Sequence, residues 1–404
     1  MKFLLCALFF LPGASAVLTA QPPATNLHQT TLVQGNNAFA ADLYGQLRQQ
    51  PGNLFFSPAS ISTAFAMAYA GAHGQTATEM AAALHFKLPP AQLHPAMGAL
   101  LASFNAAHPG YELHVADALW GANDEKFLPA FLSVTKANYA AGFHPVDFKA
   151  NPNAVLAAIN QWVEQQTANK ITNLLGPASV TAGTRLVLTN AVYFKGDWAA
   201  PFNPKYTDDE DFHLSRTKTV KAPLMYRAGD YNYFDGGAFQ ALELPYQTGE
   251  LSMVVFLPRE YDGLAALEKS FTAANAQKWL AQLRSADKVH VTLPKFKITD
   301  QFGLKEALTA LGMKQAFQNS AADFSGMTGG RDLFISAAVH KAYINVDEKG
   351  TEAAAATGII MGATAMRNEA PPLTFTADHP FLFLIRDNKS GGILFMGRMV
   401  DPTK

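Results

Sequence analysis

The 404-residue sequence predicts one large domain of the α+β class. Hydrophobic residues make up 49% of the chain and charged residues only 16%, which indicates a large buried core. Some segments show apolar residues at helical spacing, and others are short runs rich in β-branched and aromatic residues. After the N-terminal segment we find no twenty-residue apolar span, no fixed-period repeat and no low-complexity linker, so residues 21–404 are predicted to form a single domain.

The first twenty residues have the composition of a secretory signal. Lys2 provides a charged start, residues 3–11 form an apolar run, and Ala14-Ser15-Ala16 resembles a small-residue cleavage site. The run is too short for a stop-transfer helix, which argues against the alternative of an uncleaved anchor. The sequence therefore predicts a secreted or periplasmic protein, with the signal peptide cleaved near Ala16 to Ala20.

The next segment predicts a helix, a short strand and a second helix. Apolar residues recur at helical spacing from Leu27 to Gln49, and Pro51-Gly52 ends that helix. Asn53 to Phe56 is then predicted as a strand. Ser57-Pro58 has the residue order of a helix cap and first turn, so the second helix is expected to run from there to Gly71.

The middle of the chain alternates between strands and one amphipathic helix. Residues 153–167 predict this helix, with Ile159, Trp162 and Val163 on one side. Residues 212–258 are β-rich as a whole. Individual strands are predicted at 113–120, 231–234, 241–246, 251–258 and 289–296. The run 251–258 is hydrophobic throughout, which is typical of a strand covered on both faces.

The segment 346–380 has no clear conformational preference. Ala353 to Ala356 favour a helix, but Thr357 and the following isoleucines are β-branched and are interrupted by glycines. Gly350 can provide a backbone pivot at low steric cost. Read as a strand, one face would carry Thr351, Ala353, Ala355, Thr357, Ile359 and Met361, so small residues come first and apolar ones follow. The alternative interpretation is a flexible linker rich in alanine and glycine.

Three stretches in the C-terminal part of the chain resemble the serpin family, which comprises loop-inserting protease inhibitors and non-inhibitory relatives. The stretches are Glu348-Lys349-Gly350-Thr351-Glu352-Ala353-Ala354-Ala355-Ala356-Thr357, residues 377–386 and residues 392–398. The first resembles the hinge of inhibitory members, and the others resemble the C-terminal strands. The resemblance implies a serpin fold, with about nine helices around three β-sheets and an exposed reactive-centre loop at about residues 348–372. It also implies an inhibitory type, which we expect to be a secreted, bacterial-like member.

The implied function is suicide inhibition of a serine protease by a metastable monomer that is not an enzyme. In this family mechanism the protease cuts the loop, and the segment from Thr351 onward then enters the central sheet as a new strand. The rival interpretation is a non-inhibitory serpin that acts as a binder, a chaperone or a mere substrate. Gly358 and Gly362 depart mildly from the inhibitory pattern, since glycine weakens a strand interior.

The resemblance also assigns residues that control the opening of the sheet. Ser57, Ser60, Asn190 and His340 match the buried polar cluster called the shutter, and Trp198 matches the tryptophan at the breach, where the sheet opens first. The helix at 153–167 matches the one that lies across the sheet. The alternatives are ordinary capping and packing by the serines, a hydrogen-bonded core histidine and a plain core tryptophan.

The position of the cleaved bond depends on how the loop is counted. Counting forward from Glu348 by the family spacing gives Thr364-Ala365, which we prefer because strand length fixes how far the trapped protease travels. Counting back from His379-Pro380 favours Arg367-Asn368. Thr364 would indicate elastase-like or subtilisin-like targets, Met366 a chymotrypsin-like target and Arg367 a trypsin-like target.

Other functional classes find no support in the sequence. There is no Gly-x-Ser-x-Gly elbow, no His-Glu-x-x-His zinc helix and no phosphate-binding loop. The single cysteine, Cys6, lies in the predicted signal, and the eleven histidines are scattered, so we expect no metal and no cofactor. A Ser-His-Asp triad, whose members need not be close in sequence, has no positive support. A net charge of −1 gives no electrostatic basis for binding nucleic acid or a membrane.

Overall fold

The computed structural model describes residues 24–140, 142–351 and 372–404. Within these ranges the α-helices are α1 (Ala24–Leu47), α2 (Pro58–Tyr69), α3 (Gly74–Ala83), α4 (Pro90–Phe104), α5 (Pro129–Asn138), α6 (Pro152–Gln166), α7 (Leu264–Ser270), α8 (Ala273–Leu280), α9 (Lys305–Ala310) and α10 (Ser325–Thr328). The strands are β1 (Leu54–Phe56), β2 (Tyr111–Ala122), β3 (Phe143–Val146), β4 (Leu186–Asp197), β5 (Thr207–Ser215), β6 (Lys218–Asp235), β7 (Phe239–Pro245), β8 (Leu251–Pro258), β9 (Arg284–Pro294), β10 (Phe296–Gly303), β11 (Ile335–Val346), β12 (Gly350–Thr351), β13 (Thr374–Thr376), β14 (Phe381–Asp387) and β15 (Ile393–Met399). The predicted signal at residues 1–20 lies outside the described ranges.

One sheet has six strands in the order β10-β11-β12-β4-β2-β3. Its central strands β11 and β4 run parallel and pair directly over most of their length, from Ile335 opposite Leu186 to Tyr343 opposite Tyr193. At one end the two-residue β12 lies between them and pairs with both. The central strands of this sheet are therefore joined along most of their length and separated by a third strand at one end.

The other sheet has nine strands in the order β1-β15-β14-β8-β7-β6-β9-β13, with β5 paired to β6. The 18-residue β6 belongs to two parts of this network: its first part pairs with β5, and Asn232 to Asp235 pair with β7. Two of the three expected sheets thus share this long strand and form one hydrogen-bonded network.

Helix α2 lies in the core because its side chains are small or apolar nearly throughout. Every residue from Pro58 to Ala68 is buried. Ser57 caps the helix as predicted: its Oγ accepts the Ser60 N–H at 3.2 Å, which satisfies a backbone donor that the first turn leaves free. On the preceding strand, Phe55 stacks on Phe395 with ring centroids 5.1 Å apart. These contacts fix the start of α2 beneath the six-stranded sheet.

Helix α6 covers the opposite face of the six-stranded sheet, in agreement with the predicted amphipathic helix. Val155, Ile159 and Val163 are buried and pack against sheet residues such as Trp120 and Ala191. The sheet is thereby enclosed between α6 on one face and α2 with the main core on the other.

Candidate functional site

The candidate site is the fork, by which we mean the end of the six-stranded sheet where β12 lies between β4 and β11. Thr351 pairs with Val346 of β11 on one side and with Gly196 of β4 on the other, and both pairings are antiparallel. Thr351 is fully buried. Gly350 and Thr351 of the predicted hinge therefore already form a strand within the sheet.

Gly350 is required at the fork because two backbones approach closely. A Cβ at this position would lie 2.0 Å from the carbonyl oxygen of Gly196, a separation that no side chain can have. Its φ angle is not in the left-handed region. The sequence interpretation of Gly350 as a backbone pivot is thus replaced by a steric explanation, since only glycine lets the hinge backbone contact β4.

Glu348 fixes the entry of the hinge into the fork. Its Oε2 lies 2.9 Å from Lys295 Nζ, its Oε1 accepts the Thr207 hydroxyl at 2.9 Å, and its backbone carbonyl accepts the Phe202 N–H at 2.7 Å. Burial acts to raise the pKa of Glu348, but the hydrogen bonds from Lys295 and Thr207 outweigh it and hold that pKa below its usual value. Glu348 is therefore a charged anchor at neutral pH.

Trp198, the predicted breach residue, contacts the hinge directly. Its indole Nε1 donates to the Asp347 carbonyl at 3.0 Å, and its backbone N–H donates to the Lys349 carbonyl at 2.8 Å. The ring stacks on Tyr246 with centroids 4.8 Å apart, and the Tyr246 hydroxyl lies 2.9 Å from Thr351 Oγ1. Sequence reasoning identified Tyr246 only as part of a strand and so missed this contact with the hinge.

Further along the sheet, the structure brings the four predicted shutter residues together on the α2 side. His340 of β11 lies opposite Asn190 of β4, and its Nδ1 is hydrogen-bonded to Asn190 Oδ1. The Ser57 N–H donates to His340 Nε2 at 3.3 Å, and Asn190 Nδ2 donates to Ser60 Oγ at 2.5 Å. All four are buried. The hydrogen bond between Asn190 and His340 spans the junction of β4 and β11, while the gating role of the cluster is still a prediction.

Asp117 is a fifth member of this cluster, which sequence reasoning missed. It lies on β2 opposite Asn190, and its Oδ1 accepts hydrogen bonds from Asn190 Nδ2 and from Ser60 Oγ. Among the described residues, its Oδ2 has no hydrogen-bond partner. A sequence signal did exist, because Asp117 is the one charged residue in the stretch 115–122 of β2, and a buried acid implies a specific partner.

Burial sets the protonation of the two titratable members of the cluster. It lowers the pKa of His340 to about 3, so the imidazole is neutral. With Nε2 accepting from Ser57, the imidazole proton is on Nδ1 and is donated to Asn190. Burial also raises the pKa of Asp117 to about 8, although the hydrogen bonds from Asn190 and Ser60 act to lower it. At neutral pH the uncharged forms of both side chains are therefore favoured.

Several predicted site residues lie outside the described ranges. They are the hinge residues Glu352, Ala353, Ala354, Ala355, Ala356 and Thr357 and the cleavage candidates Thr364, Ala365, Met366, Arg367 and Asn368. The described part of the hinge comprises Glu348 to Thr351.

The part of the chain that the structure describes offers no candidate for a metal site or a membrane-spanning helix. Side chains able to bind a metal ion are not clustered in groups of three or more anywhere in residues 24–140, 142–351 and 372–404. Nor does a helix in the same ranges have the length and apolar character needed to span a membrane.

Comparison with known proteins shows similarity along nearly the whole chain. A family model described as Serpin (serine protease inhibitor) matches residues 34–402. The leukocyte elastase inhibitor of Xenopus laevis is 41% identical over 373 residues, which are 90% of this chain and 97% of that protein. Leukocyte elastase inhibitor A of Mus musculus is 41% identical and is matched over 92% of this chain and 99% of its own length. A crystal structure of uncleaved ovalbumin superposes with a TM-score of 0.83 at 30% identity, covering 92% of this chain and all of the other. The fold expected from the sequence is thereby confirmed.

The same comparisons correct the predicted location. The family match begins at residue 34, and the alignment uses 99% of the mouse protein, which leaves too little of it unmatched to be a leader. The prediction of a secreted or periplasmic protein is therefore wrong. The reason is that a charged start, a short apolar run and small residues satisfy a compositional rule without establishing export. The frog and mouse relatives also give no support to the bacterial-like qualifier.

Proposed function

This chain belongs to the serpin family, and on that premise we propose that it is a suicide-substrate inhibitor of serine proteases. A protease cleaves the reactive-centre loop at about residues 348–372 and forms an acyl-enzyme. The freed segment from Thr351 then enters the fork as a new strand of the six-stranded sheet, which carries the bound protease away from the geometry needed for deacylation. The inhibitor is consumed in the reaction, so it acts as a stoichiometric partner and not as an enzyme.

The observation that carries this proposal is the position of β12 between β4 and β11. β12 is antiparallel to both neighbours, so the loop can extend into the junction without changing direction. Each further loop residue corresponds to one residue back along β4, so the run from Gly196 to Leu186 corresponds to the run from Thr351 to Met361. The existing register therefore defines where an inserted strand would lie and how long it would be.

If an inserted strand keeps this register, Thr357 would lie between Asn190 and His340. Thr357 is six residues beyond Thr351, and Asn190 and His340 are six residues back from Gly196 and Val346. An inserted strand at this position interrupts the Asn190 to His340 hydrogen bond. The hydroxyl of Thr357 can both donate and accept, so it can provide new partners for the two side chains.

The length of the inserted strand supports Thr364-Ala365 as the cleaved bond. A strand that ends near Met361 leaves a short connection of two residues before Thr364, and a longer one before Arg367. A bond after Thr364 predicts elastase-like or subtilisin-like proteases as targets. The frog and mouse relatives named leukocyte elastase inhibitors support the elastase-like assignment. Cleavage after Met366 or Arg367 would instead give chymotrypsin-like or trypsin-like targets.

The driving force is the gain of backbone hydrogen bonds. Insertion replaces one parallel ladder between β4 and β11 with two antiparallel ladders, and each bond contributes roughly 0.5–1.5 kcal/mol net. The gain is on the order of 10 kcal/mol, which is comparable to the stability of an ordinary domain. The uncleaved state is therefore held by a kinetic barrier.

The proposal is tested by incubating the protein with a pancreatic elastase, a subtilisin, a chymotrypsin and a trypsin. We expect an SDS-resistant complex with the elastase or the subtilisin, and sequencing of the released C-terminal peptide to begin at Ala365. Cleaved protein should melt tens of degrees above intact protein. If intact and cleaved protein melt together and no protease forms a complex, the non-inhibitory alternative is correct.

A further inference from the structure

The proposed inhibitory reaction assigns no role to the buried carboxyl group of Asp117. Its Oδ1 accepts from both Asn190 Nδ2 and Ser60 Oγ, so two donors from β4 and α2 point at one oxygen. This arrangement decides which way the Asn190 amide is oriented. With Nδ2 directed to Asp117, Asn190 must present Oδ1 to the Nδ1–H of His340 across the junction of β4 and β11.

We infer that Asp117 is a positioning residue whose protonation controls how readily β4 and β11 separate; this inference rests on the proposed function. The neutral carboxyl is compatible with the dry core and keeps Asn190 bound to His340. A carboxylate at the same place is a buried charge, and one of its oxygens lacks a partner among the described residues. Separation of the strands lowers the free-energy cost of this charge because it admits water.

Few other groups near Asp117 can contribute to the pH dependence of strand separation. From α2 the facing groups are Ser57 and Ser60, and β4 provides Asn190, none of which titrates. Across the junction, β11 provides the titratable His340, which is hydrogen-bonded to Asn190. On the same side of the sheet, His94 of α4 and Tyr139 after α5 are hydrogen-bonded to each other at 2.7 Å. Burial lowers the pKa of His94 to about 4 and raises that of Tyr139, so neither changes charge between pH 6.5 and 8.

The direction of the pH effect follows from linkage. Asp117 has a pKa of about 8 when buried and about 3.8 in water, so rising pH favours the open state between these values. His340 has a pKa of about 3 when buried and about 6.5 in water, so rising pH disfavours the open state between those values. The two effects cancel between about pH 4 and 6.5. From about pH 6.5 to 8 only Asp117 acts, and opening becomes easier by up to about tenfold per pH unit.

The experiment measures the rate at which intact, uncleaved protein incorporates a synthetic peptide with the sequence of residues 351–361. Incorporation is followed by the appearance of heat-resistant protein at pH 6.5, 7, 7.5, 8 and 8.5. For the unmodified chain we expect the rate to rise by up to about thirtyfold from pH 6.5 to 8 and then to level off. Asp117→Asn keeps the shape of the side chain but cannot ionise, so its rate should be flat over this range.

The matched control is Asp300→Asn. Asp300 is also a largely buried carboxyl whose pKa is raised by burial, but it accepts from the Phe55 N–H and does not contact Asn190. Its variant should keep the pH dependence of the unmodified chain. Should Asp117→Asn fail to fold, Ser60→Ala provides a second test: it removes a hydrogen bond that lowers the pKa of Asp117, so the plateau should move to higher pH.

The outcomes distinguish the role of Asp117 from the proposed insertion of the loop. Incorporation with a flat pH profile in the unmodified chain, or with the same slope in Asp117→Asn, overturns the role of Asp117 and leaves the inhibitory function intact. Failure of every form to incorporate the peptide overturns the proposed insertion itself, and with it the inference.

Discussion

Asn190 and His340 lie opposite each other in the parallel strands β4 and β11, and their side-chain hydrogen bond spans the junction that an inserted strand would have to enter. The bond is buried beneath the sheet on the α2 side, where His340 also accepts the Ser57 N–H. A strand that enters the junction cannot leave this bond intact. We therefore expect the pair to act as a closure whose strength contributes to the barrier against the proposed insertion.

Replacing His340 should weaken this closure. His340→Ala leaves Asn190 Oδ1 and the Ser57 N–H without their present partners, and each orphaned buried group costs about 1–3 kcal/mol. We expect the uncleaved variant to unfold at lower denaturant concentration and to incorporate the loop peptide faster. Equilibrium unfolding of His340→Ala, Asn190→Ala and the double variant provides the check. If the loss of unfolding free energy in the double variant equals the sum of the losses in the two single variants, the two side chains do not share an interaction.

The anchor at Glu348 should contribute stability that depends on pH. Its pKa is below the ordinary value of 4.5, so the contribution is fully present above about pH 4.5 and is lost as pH falls through the lower folded-state pKa. Glu348→Gln should cost about 1–2 kcal/mol at pH 7, because the ion pair with Lys295 and the Thr207 hydrogen bond are weakened.

Urea unfolding at pH 7 and at pH 3 measures this contribution. The control is Glu260→Gln, which removes a surface ion pair with Arg216 whose partners are both more than 60% exposed and which should be nearly neutral. If Glu348→Gln and Glu260→Gln lower the free energy of unfolding at pH 7 by the same small amount, Glu348 does not anchor the hinge.

Local features of the site could be predicted from sequence because they depend on neighbours in the chain. The Ser57 cap is set by the residue after it and by the N–H of Ser60 three positions on. The covered strand at 251–258 and the amphipathic α6 follow from hydrophobic pattern alone.

Side-chain partners could not be predicted in the same way, because they depend on strand register between distant segments. Asp117 and Asn190 are 73 residues apart, Lys295 and Glu348 are 53 apart, and Tyr246 and Thr351 are 105 apart. A hydrophobic pattern tells which face a residue occupies but not which residue lies opposite it. The four shutter residues were identified only through the family resemblance, and Asp117 was missed because the resemblance assigned it no role.

Gly350 should tolerate no side chain. Gly350→Ala places a Cβ 2.0 Å from the Gly196 carbonyl oxygen, so β12 must leave the fork or β4 must move. We expect the variant to lose the Thr351 pairing, to have a lower melting temperature when uncleaved, and to require more inhibitor molecules per trapped protease. The check is the stoichiometry of inhibition, with Gly303→Ala as the control because a Cβ there meets no atom within 4 Å. An unchanged stoichiometry in Gly350→Ala would show that the fork is not the entry point.

Thr357 tests whether insertion follows the register that β12 already has. By that register its side chain falls between Asn190 and His340, in the buried polar cluster where Asp117 and Ser60 also lie. Thr357→Arg would bury a cation there, and pairing it with Asp117 would require that neutral carboxyl to ionise in the dry core, which is far more costly than the loss of one hydroxyl. We therefore expect the variant to be cleaved by an elastase as a substrate, with at least a tenfold loss of stable complex and little gain in melting temperature on cleavage. Thr357→Ser, which keeps the hydroxyl, should inhibit nearly as well as the unmodified chain. Gly358→Arg is the comparison variant, because in this register the side chain at position 358 would point to the α6 face. If Thr357→Arg inhibits as well as the unmodified chain and only Gly358→Arg fails, the strand enters one residue out of this register.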